Sequence, residues 1–295
     1  MRAARCCVSK HPFVPNSAAV FAFMTVGIAL PSADAGILFA DSFRYANGYL
    51  SGNAGGTGWT GAWSGGVAAN GNLVSAPLVV NPSDATARSI QISSGSFATK
   101  RSLSTTYQTG GANSYYVSFV FNANPFSMNA GAFAGVSLYL DLDPSQSLLL
   151  GSPGTSGQLG FDWTNTGDPS VAASNGVNYL ILCAITPGSG STTSVSMYST
   201  TNLWMSGASL AATTPIVSLL NEPNFSFNTV TVSGAYGTGT ISLAGLAMAD
   251  NATDAVTFTQ NAVPGPGAML VLALAARFGA APGSARRRAS TIAGG

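Results

Sequence analysis

The chain has 295 residues, of which 46% are hydrophobic and only 7% are charged, and its formal net charge is +1. This supply of Val, Leu, Ile, Phe and Tyr is enough to bury a sizeable core in one or two domains, which argues against disorder over most of the length. The 11 basic residues fall mostly at the two ends, so no basic face is available to neutralise phosphates, and nucleic acid is excluded as a partner.

Residues 1–35 have the pattern of a secretory signal peptide. The first ten residues carry three basic side chains, Arg2, Arg5 and Lys10. An apolar run follows at 18–30, and Ala33-Asp34-Ala35 offers a small-x-small cleavage site before Gly36. The run is shorter than the ~20 apolar residues of a membrane-spanning helix. We therefore predict that signal peptidase cleaves before Gly36 and that the protein is exported.

Residues 36–260 predict one all-β domain. Short segments rich in β-branched and aromatic residues alternate with clusters of Gly, Asn, Pro and Ser, and no stretch shows a helical period. Strands are predicted at 37–43, 72–80, 87–92, 97–103, 115–121, 135–140, 148–150, 158–163, 179–185, 193–198, 225–232 and 240–248. This many short strands at close spacing indicates a two-sheet antiparallel sandwich without helices.

The segment 179–185 is apolar on both faces, which is typical of a central strand. Cys183 lies within it and is the one cysteine left after signal cleavage, so no disulfide can form within the domain. No cationic residue stands nearby to lower the thiol pKa, and we expect Cys183 to be a small buried hydrophobe and not a reactive thiol.

The most distinctive stretch of the domain is 39–66, which is rich in glycine and contains Trp59 and Trp63. It resembles the opening of LamG-like, concanavalin A-like jelly-roll domains found in exported bacterial proteins. The matching positions are Asp41, Phe43, Tyr45, Gly48, Leu50, Gly52, Gly55, Gly56, Gly58, Trp59, Gly61 and Trp63. Residues 178–182 resemble the central strand of that family, and 241–256 its last strand and closing loop. The resemblance implies a jelly roll, a fold that hosts lectins, adhesins and glycosidases alike.

Residues 261–295 have the order proline turn, apolar segment and basic stop. The residues that carry this pattern are Val263, Pro264, Gly265, Pro266, Gly267, Arg286, Arg287 and Arg288. The tail resembles the PEP-CTERM sorting signal, although Gly265 stands where that family usually has Glu and Arg277 interrupts the apolar segment. The resemblance implies an exosortase-type sorting protease, transient membrane association and delivery to the cell surface or extracellular matrix of a Gram-negative bacterium. The alternative is a degraded or unrelated basic tail, because apolar segments followed by arginines also arise as simple membrane-retention tails.

Catalytic chemistry is restricted by composition. Signal cleavage removes the single histidine, His11, which excludes Ser–His and Cys–His pairs and histidine-based zinc sites. Glycoside hydrolysis needs two carboxyl groups, and the domain has one glutamate, Glu222. Asp141, Asp143 and Asp162 are the remaining candidates, each with turn capping or a solvated strand end as the alternative.

Two kinds of binding site are predicted. Trp163 and Asn165, together with Asn202 and Trp204, pair an aromatic ring with an amide as sugar sites do, the alternative being that each Trp fills the core. Asp141 and Asp143 are candidate ligands for a calcium ion, because Ca²⁺ binds carboxylate oxygens and the LamG-like domains that this segment resembles often carry one at a sheet edge.

The sequence supports a non-catalytic exported protein of the surface or matrix that contacts exopolysaccharide or matrix proteins through its sandwich. The alternative is a divergent glycan-active hydrolase or lyase that uses Asp carboxylates on the same fold. Strand pairing at exposed sheet edges, giving an oligomer, is a third hypothesis.

Overall fold

The computed structural model describes residues 36–65, 73–75, 78, 87–92, 95–124, 133–140, 143–153, 158–163, 169–236 and 240–263. The predicted signal peptide and the tail beyond Val263 lie outside these residues. The elements run in chain order as β1 (Ile37–Asp41), β2 (Gly48–Tyr49), β3 (Trp59–Ser64), β4 (Leu73–Ser75), β5 (Ser89–Ile92), β6 (Gly95–Gln108), β7 (Tyr115–Asn124), β8 (Phe133–Leu140), β9 (Asp143–Ser152), β10 (Gln158–Trp163), β11 (Ser170–Ala172), β12 (Tyr179–Pro187), β13 (Thr192–Thr200), α1 (Gly207–Ala211), β14 (Val217–Pro223), β15 (Ser226–Tyr236), β16 (Thr240–Ala249) and α2 (Ala252–Ala262).

The strands form two antiparallel sheets. The nine-stranded sheet has the order β14-β13-β12-β7-β16-β5-β4-β2, with β1 also pairing with β16. The seven-stranded sheet has the order β11-β10-β9-β8-β15-β6-β3. The predicted all-β, two-sheet sandwich is confirmed. Strand β12 lies between β13 and β7 and is buried from Leu180 to Ile185, which confirms the predicted central strand.

The core lies between the sheets and consists of the inward-facing side chains of both. In β8 the buried residues Ala134, Val136 and Leu138 alternate with residues that face the other way, because successive side chains of a strand point to opposite faces. The largest fully buried side chains are Trp63, Phe39, Phe43, Phe119, Phe121, Phe161 and Phe227. These aromatic side chains fill the space between the two sheets.

The expectation that the domain has no helix is wrong. Helix α2 occupies the segment for which the sequence predicts a closing loop, and it extends past the predicted domain end at residue 260. Asn251 is its N-cap, where the side-chain Oδ1 accepts a 2.9 Å hydrogen bond from the Asp254 amide. Its buried residues recur at helical spacing, and they are Ala252, Ala255, Val256, Thr259 and Ala262.

Both helices cover the nine-stranded sheet on the face away from the core. There α2 packs with Leu210 of α1 on outward-facing apolar residues such as Val120 and Leu182. Thr259 of α2 donates a 2.8 Å hydrogen bond to the carbonyl oxygen of Gly245, at an irregularity in β16. The helices therefore bury the outer face of the nine-stranded sheet.

Candidate functional site

The outer face of the seven-stranded sheet carries an aligned row of side chains. The strand registers place five residues side by side across β6, β15, β8, β9 and β10, namely Lys100, Thr231, Ser137, Leu149 and Asp162. Their chain neighbours, such as Val230, Leu148 and Phe161, face the core. One row thus brings together residues that are as far apart in sequence as 100 and 231.

A cavity of about 310 Å³ lies over this row. Small and hydroxyl-bearing side chains make up most of its lining, which consists of Ala98, Phe133, Ser137, Tyr139, Ser147, Leu149, Asp162, Thr231 and Ser233. We call this cavity the β8 groove, because three of its residues come from that strand. Its volume lies at the lower end of the range of about 300–1,000 Å³ that is usual for ligand sites.

Two aromatic residues stand at opposite ends of the β8 part of the groove. Phe133 and Tyr139 share one face of the strand and are six residues apart, which corresponds to roughly 20 Å of extended chain. Between them, Gly135 lies in register with Gly151 of β9 and, through it, with Gly160 of β10. A Cβ on Gly135 would lie 2.1 Å from the carbonyl oxygen of Leu150, so the close approach of these strands requires glycine. The glycines add no side chain to the groove floor.

The polar groups of the groove are poorly exposed to water. Thr231 is 5% exposed, and its Oγ1 is buried without a hydrogen-bond partner among the residues that the structure describes. A buried hydroxyl without a partner costs about 1–3 kcal/mol. Asp162 is half-buried, and its Oδ1 is shielded from solvent. It is the one carboxyl group that lines the groove within the described part of the chain.

The aromatic residues predicted as sugar platforms lie elsewhere and are not brought together. Trp163 follows Asp162 in β10 but faces the core, where it is 6% exposed and packs edge-on against Phe225 at a centroid distance of 4.8 Å. Trp204 lies in the loop after β13 and is 41% exposed, and its backbone amide donates to Asn202 Oδ1 over 3.2 Å. Asn165 lies outside the described residues. Among the candidate catalytic and binding residues predicted from the sequence, Asp162 lines the groove.

The predicted calcium ligands also fall outside what the structure describes. Asp141 is not among the described residues, and for Asp143 the backbone alone is described, at the start of β9. Within the described ranges, no group of three or more His, Cys, Asp or Glu side chains could hold a metal ion. Of the predicted sorting signal, Val263 is described and lies 2% exposed at the end of α2. No helix in the described part of the chain has both the length and the apolarity needed to cross a membrane.

The distinctive 39–66 segment forms a buried polar cluster around one carboxylate. Asp41 Oδ2 accepts hydrogen bonds from Tyr45 Oη at 2.5 Å, Trp63 Nε1 at 2.8 Å and Arg101 Nη1 at 3.1 Å. Its Oδ1 accepts from the Phe43 amide at 2.8 Å. Burial raises the pKa of the Asp41 carboxyl, while these hydrogen bonds and the Arg101 charge act in the opposite direction.

The guanidinium of Arg101 is equally well occupied. Besides Asp41, it donates to the carbonyl oxygens of Gly61 at 2.9 Å and Gly55 at 2.7 Å. Its carbon atom also lies 5.0 Å from the ring centroid of Trp59, within the range of a cation–π contact. The cluster joins strands of both sheets, and its polar atoms bind each other, so we assign it a structural role.

The thiol of Cys183 is fully buried in β12, and burial raises its pKa. The thiolate is the reactive form of cysteine, and in this strand it is disfavoured. The interpretation of Cys183 as a buried hydrophobe is confirmed.

The described domain is a two-sheet antiparallel β-sandwich. The sequence matches no protein-family model and no curated protein at a significant level. Several solved structures resemble it at low identity. The globular domain of T. cruzi calreticulin is 10% identical with a TM-score of 0.45, over 73% of this chain and 93% of that one. An endo-β-1,4-glucuronan lyase from the fungus Trichoderma reesei is 10% identical with a TM-score of 0.42, over 69% and 93%. A lectin from Bauhinia forficata in complex with GalNAc is 12% identical with a TM-score of 0.37, over 69% and 96%.

Proposed function

We propose that this protein is an exported, non-catalytic carbohydrate-binding protein whose β8 groove holds a polysaccharide chain at the cell surface or in the extracellular matrix. The observation that carries the proposal is the groove itself, in which hydroxyl groups lie between Phe133 and Tyr139. Sugar rings present apolar faces that stack on aromatic side chains and hydroxyls that pair with polar ones. The buried Thr231 hydroxyl is such a polar partner.

The length of the groove supports an extended ligand. Phe133 and Tyr139 are separated by roughly 20 Å along β8, which exceeds the width of one sugar ring. A linear glycan along β8 would contact both aromatic side chains and cross the glycine floor at Gly135. A single monosaccharide would contact one of them and leave the other unused.

Affinity electrophoresis of the full chain in gels containing soluble polysaccharides tests the proposal. We expect retardation by at least one polysaccharide and a loss of about fivefold in affinity for Phe133→Ala or Tyr139→Ala, since one stacking contact contributes roughly 1 kcal/mol. Tyr49→Ala is the matched control, because Tyr49 is 45% exposed and lies outside the groove. An absence of retardation by every polysaccharide tested would overturn the proposal.

A glycan-active hydrolase or lyase is the second candidate, and it is favoured by the presence of Asp162 and Tyr139 in one groove. Both side chains are able to transfer protons. Hydrolysis commonly uses two carboxyl groups, and Asp162 is the one carboxyl of the described lining, so binding is the better-supported function. Assays for new reducing ends and for unsaturated uronate products distinguish the two. Product release that Asp162→Asn abolishes would establish an enzyme in place of a binding protein.

Export and sorting form part of the proposal and rest on the two ends of the sequence. We expect signal peptidase to cleave before Gly36 and an exosortase-type protease to process the tail. Fractionation of cells with mass spectrometry of the protein termini tests both steps. The full chain is compared with a chain truncated after Val263. This end point keeps the whole of α2, which extends to Ala262, and the buried side chain of Val263. Identical localisation of the two chains would overturn the sorting role of the tail.

A further inference from the structure

We infer that the β8 groove selects electrically neutral glycans over uronates and other anionic polysaccharides. The inference rests on the proposed function and specifies the ligand class of the same site. It is carried by the distribution of charge on the outer face of the seven-stranded sheet and by the kind of polar group that the groove presents.

Basic side chains are scarce in the domain. Residues 36–260 contain four of them, Arg44, Arg88, Lys100 and Arg101, against nine acidic residues, a net charge of −5. Arg101 is buried with Asp41, Arg44 donates to the carbonyl oxygen of Asn261, and Arg88 donates to that of Ala87. None of the four lines the groove. Recognition of carboxylate or sulfate usually depends on Arg or Lys, and the described lining supplies neither.

Lys100 is the basic residue closest to the groove in strand register, opposite Thr231 on β6. It is exposed, so water and salt screen its charge. Asp162 is half-buried at the other end of the same row, where screening is weaker. A ligand carboxylate placed over this row would therefore meet a repulsive charge in the groove and a screened attractive charge at its side.

The remaining polar groups are hydroxyls. Ser137, Tyr139, Ser147, Thr231 and Ser233 each carry one, and a hydroxyl both donates and accepts hydrogen bonds. The Thr231 Oγ1 is buried and lacks a partner within the described structure. This set matches the hydroxyls of a neutral sugar, which also donate and accept. The carboxylate of a uronate offers acceptors alone, and it would face the Asp162 carboxylate as a second negative charge.

The test measures affinity of the full chain for neutral probes (laminarin, xylan, galactomannan and dextran) and for anionic polygalacturonate. We expect at least one neutral probe to bind at least tenfold more tightly than polygalacturonate. Asp162→Asn should raise the affinity for polygalacturonate about tenfold and so reduce the ratio of neutral to anionic affinity.

Two threonines of β15 provide a matched pair for the role of the hydroxyls. Thr231→Val should weaken neutral binding about tenfold, since it removes the buried hydroxyl from the groove. Thr229→Val is the control, because Thr229 is equally buried but pairs with Asn228 and does not line the groove. Thermal unfolding of both variants shows whether the fold is retained. A loss of neutral binding that is the same in both would overturn the role of Thr231 in the groove.

The outcomes separate the failure of this inference from that of the proposed function. Binding to none of the glycans overturns both. Tighter binding to polygalacturonate overturns the neutral selection and leaves the groove as a glycan site. If Asp162→Asn does not reduce the preference for neutral glycans, the charge of Asp162 is not the cause of the selection.

Discussion

The Asp41 carboxylate and the Arg101 guanidinium lie 3.1 Å apart inside the sandwich, with side chains 2% and 4% exposed. Asp41 ends β1, which pairs with β16 in the nine-stranded sheet, whereas Arg101 belongs to β6 of the seven-stranded sheet. The pair therefore connects two sheets through residues that are 60 positions apart. Because both charged groups are buried and hydrogen-bonded to each other, removing either one leaves the other buried without its partner.

We predict that Asp41→Asn lowers the free energy of unfolding by about 3–5 kcal/mol, because it leaves the buried Arg101 charge without its carboxylate. Urea unfolding followed by tryptophan fluorescence measures this loss. Arg44→Met is the control, since Arg44 makes an exposed hydrogen bond to Asn261 and should cost less than about 1 kcal/mol. Equal losses in the two variants would contradict the structural role of the pair.

The double variant Asp41→Asn with Arg101→Met should be more stable than the sum of the single losses implies. Removing both charges leaves no unpaired ion, so the two substitutions are not additive. Urea unfolding of the wild type, both single variants and the double variant gives the coupling energy. Additive losses would mean that Asp41 and Arg101 contribute independently.

Local pattern is sufficient to predict most strands of this domain. Each predicted segment overlaps an observed strand, and 158–163 coincides with β10. Strand β3 is not predicted, because Gly61 and the flanking glycines are typical of a loop. In the structure the strand pairs with β6, and its Trp63 is buried. Strand β14 escapes prediction because Asn221 and Pro223 are turn residues. Asn221 lies at φ 63° next to an irregularity in the pairing with β13.

The groove is less predictable than the fold. Asp162 is a candidate from sequence because carboxylates carry chemistry, but its neighbour Trp163 is a candidate too, and only the sheet register decides which of the two faces outward. The pairing of β15 with β8 brings Thr231 next to Ser137, a contact between residues far apart in sequence. Helix α2 could have been predicted from the sequence, because Asn251 is a favoured N-cap residue and the residues that the helix buries recur at helical spacing. Both signals are local.

Two glycines with similar backbone angles predict different responses to alanine. Gly58 and Gly61 have φ of 78° and 72°, so both substitutions incur the left-handed penalty of about 1–2 kcal/mol. A Cβ on Gly58 would also lie 2.1 Å from the carbonyl oxygen of Leu38, whereas one on Gly61 meets no atom within 4 Å. Gly58→Ala should therefore cost at least twice as much as Gly61→Ala in urea unfolding. Similar costs would show that the contact with β1 relaxes without loss.

The tryptophans predicted from sequence as sugar platforms should separate into a core residue and a surface residue. Trp163→Ala should cost about 3–5 kcal/mol, since it empties a site packed against Phe225. Trp204→Ala should cost less than about 1 kcal/mol because the side chain is 41% exposed. Affinity electrophoresis of the Trp204 variant should match the wild type if glycans bind in the β8 groove. Lost retardation with an intact fold would place the site in the 202–204 loop instead.

The buried thiol of Cys183 predicts a pH response that differs between the folded and unfolded chains. Burial raises the pKa of the Cys183 thiol, so the reactive thiolate stays unpopulated in the folded state between pH 7 and pH 9. In urea the thiol regains an ordinary pKa near 8.5, and its alkylation should speed up by more than tenfold over the same interval. Mass spectrometry of the Cys183 peptide after iodoacetamide treatment measures both rates. A native rate that rises with pH as steeply as the rate in urea would mean that β12 opens to solvent.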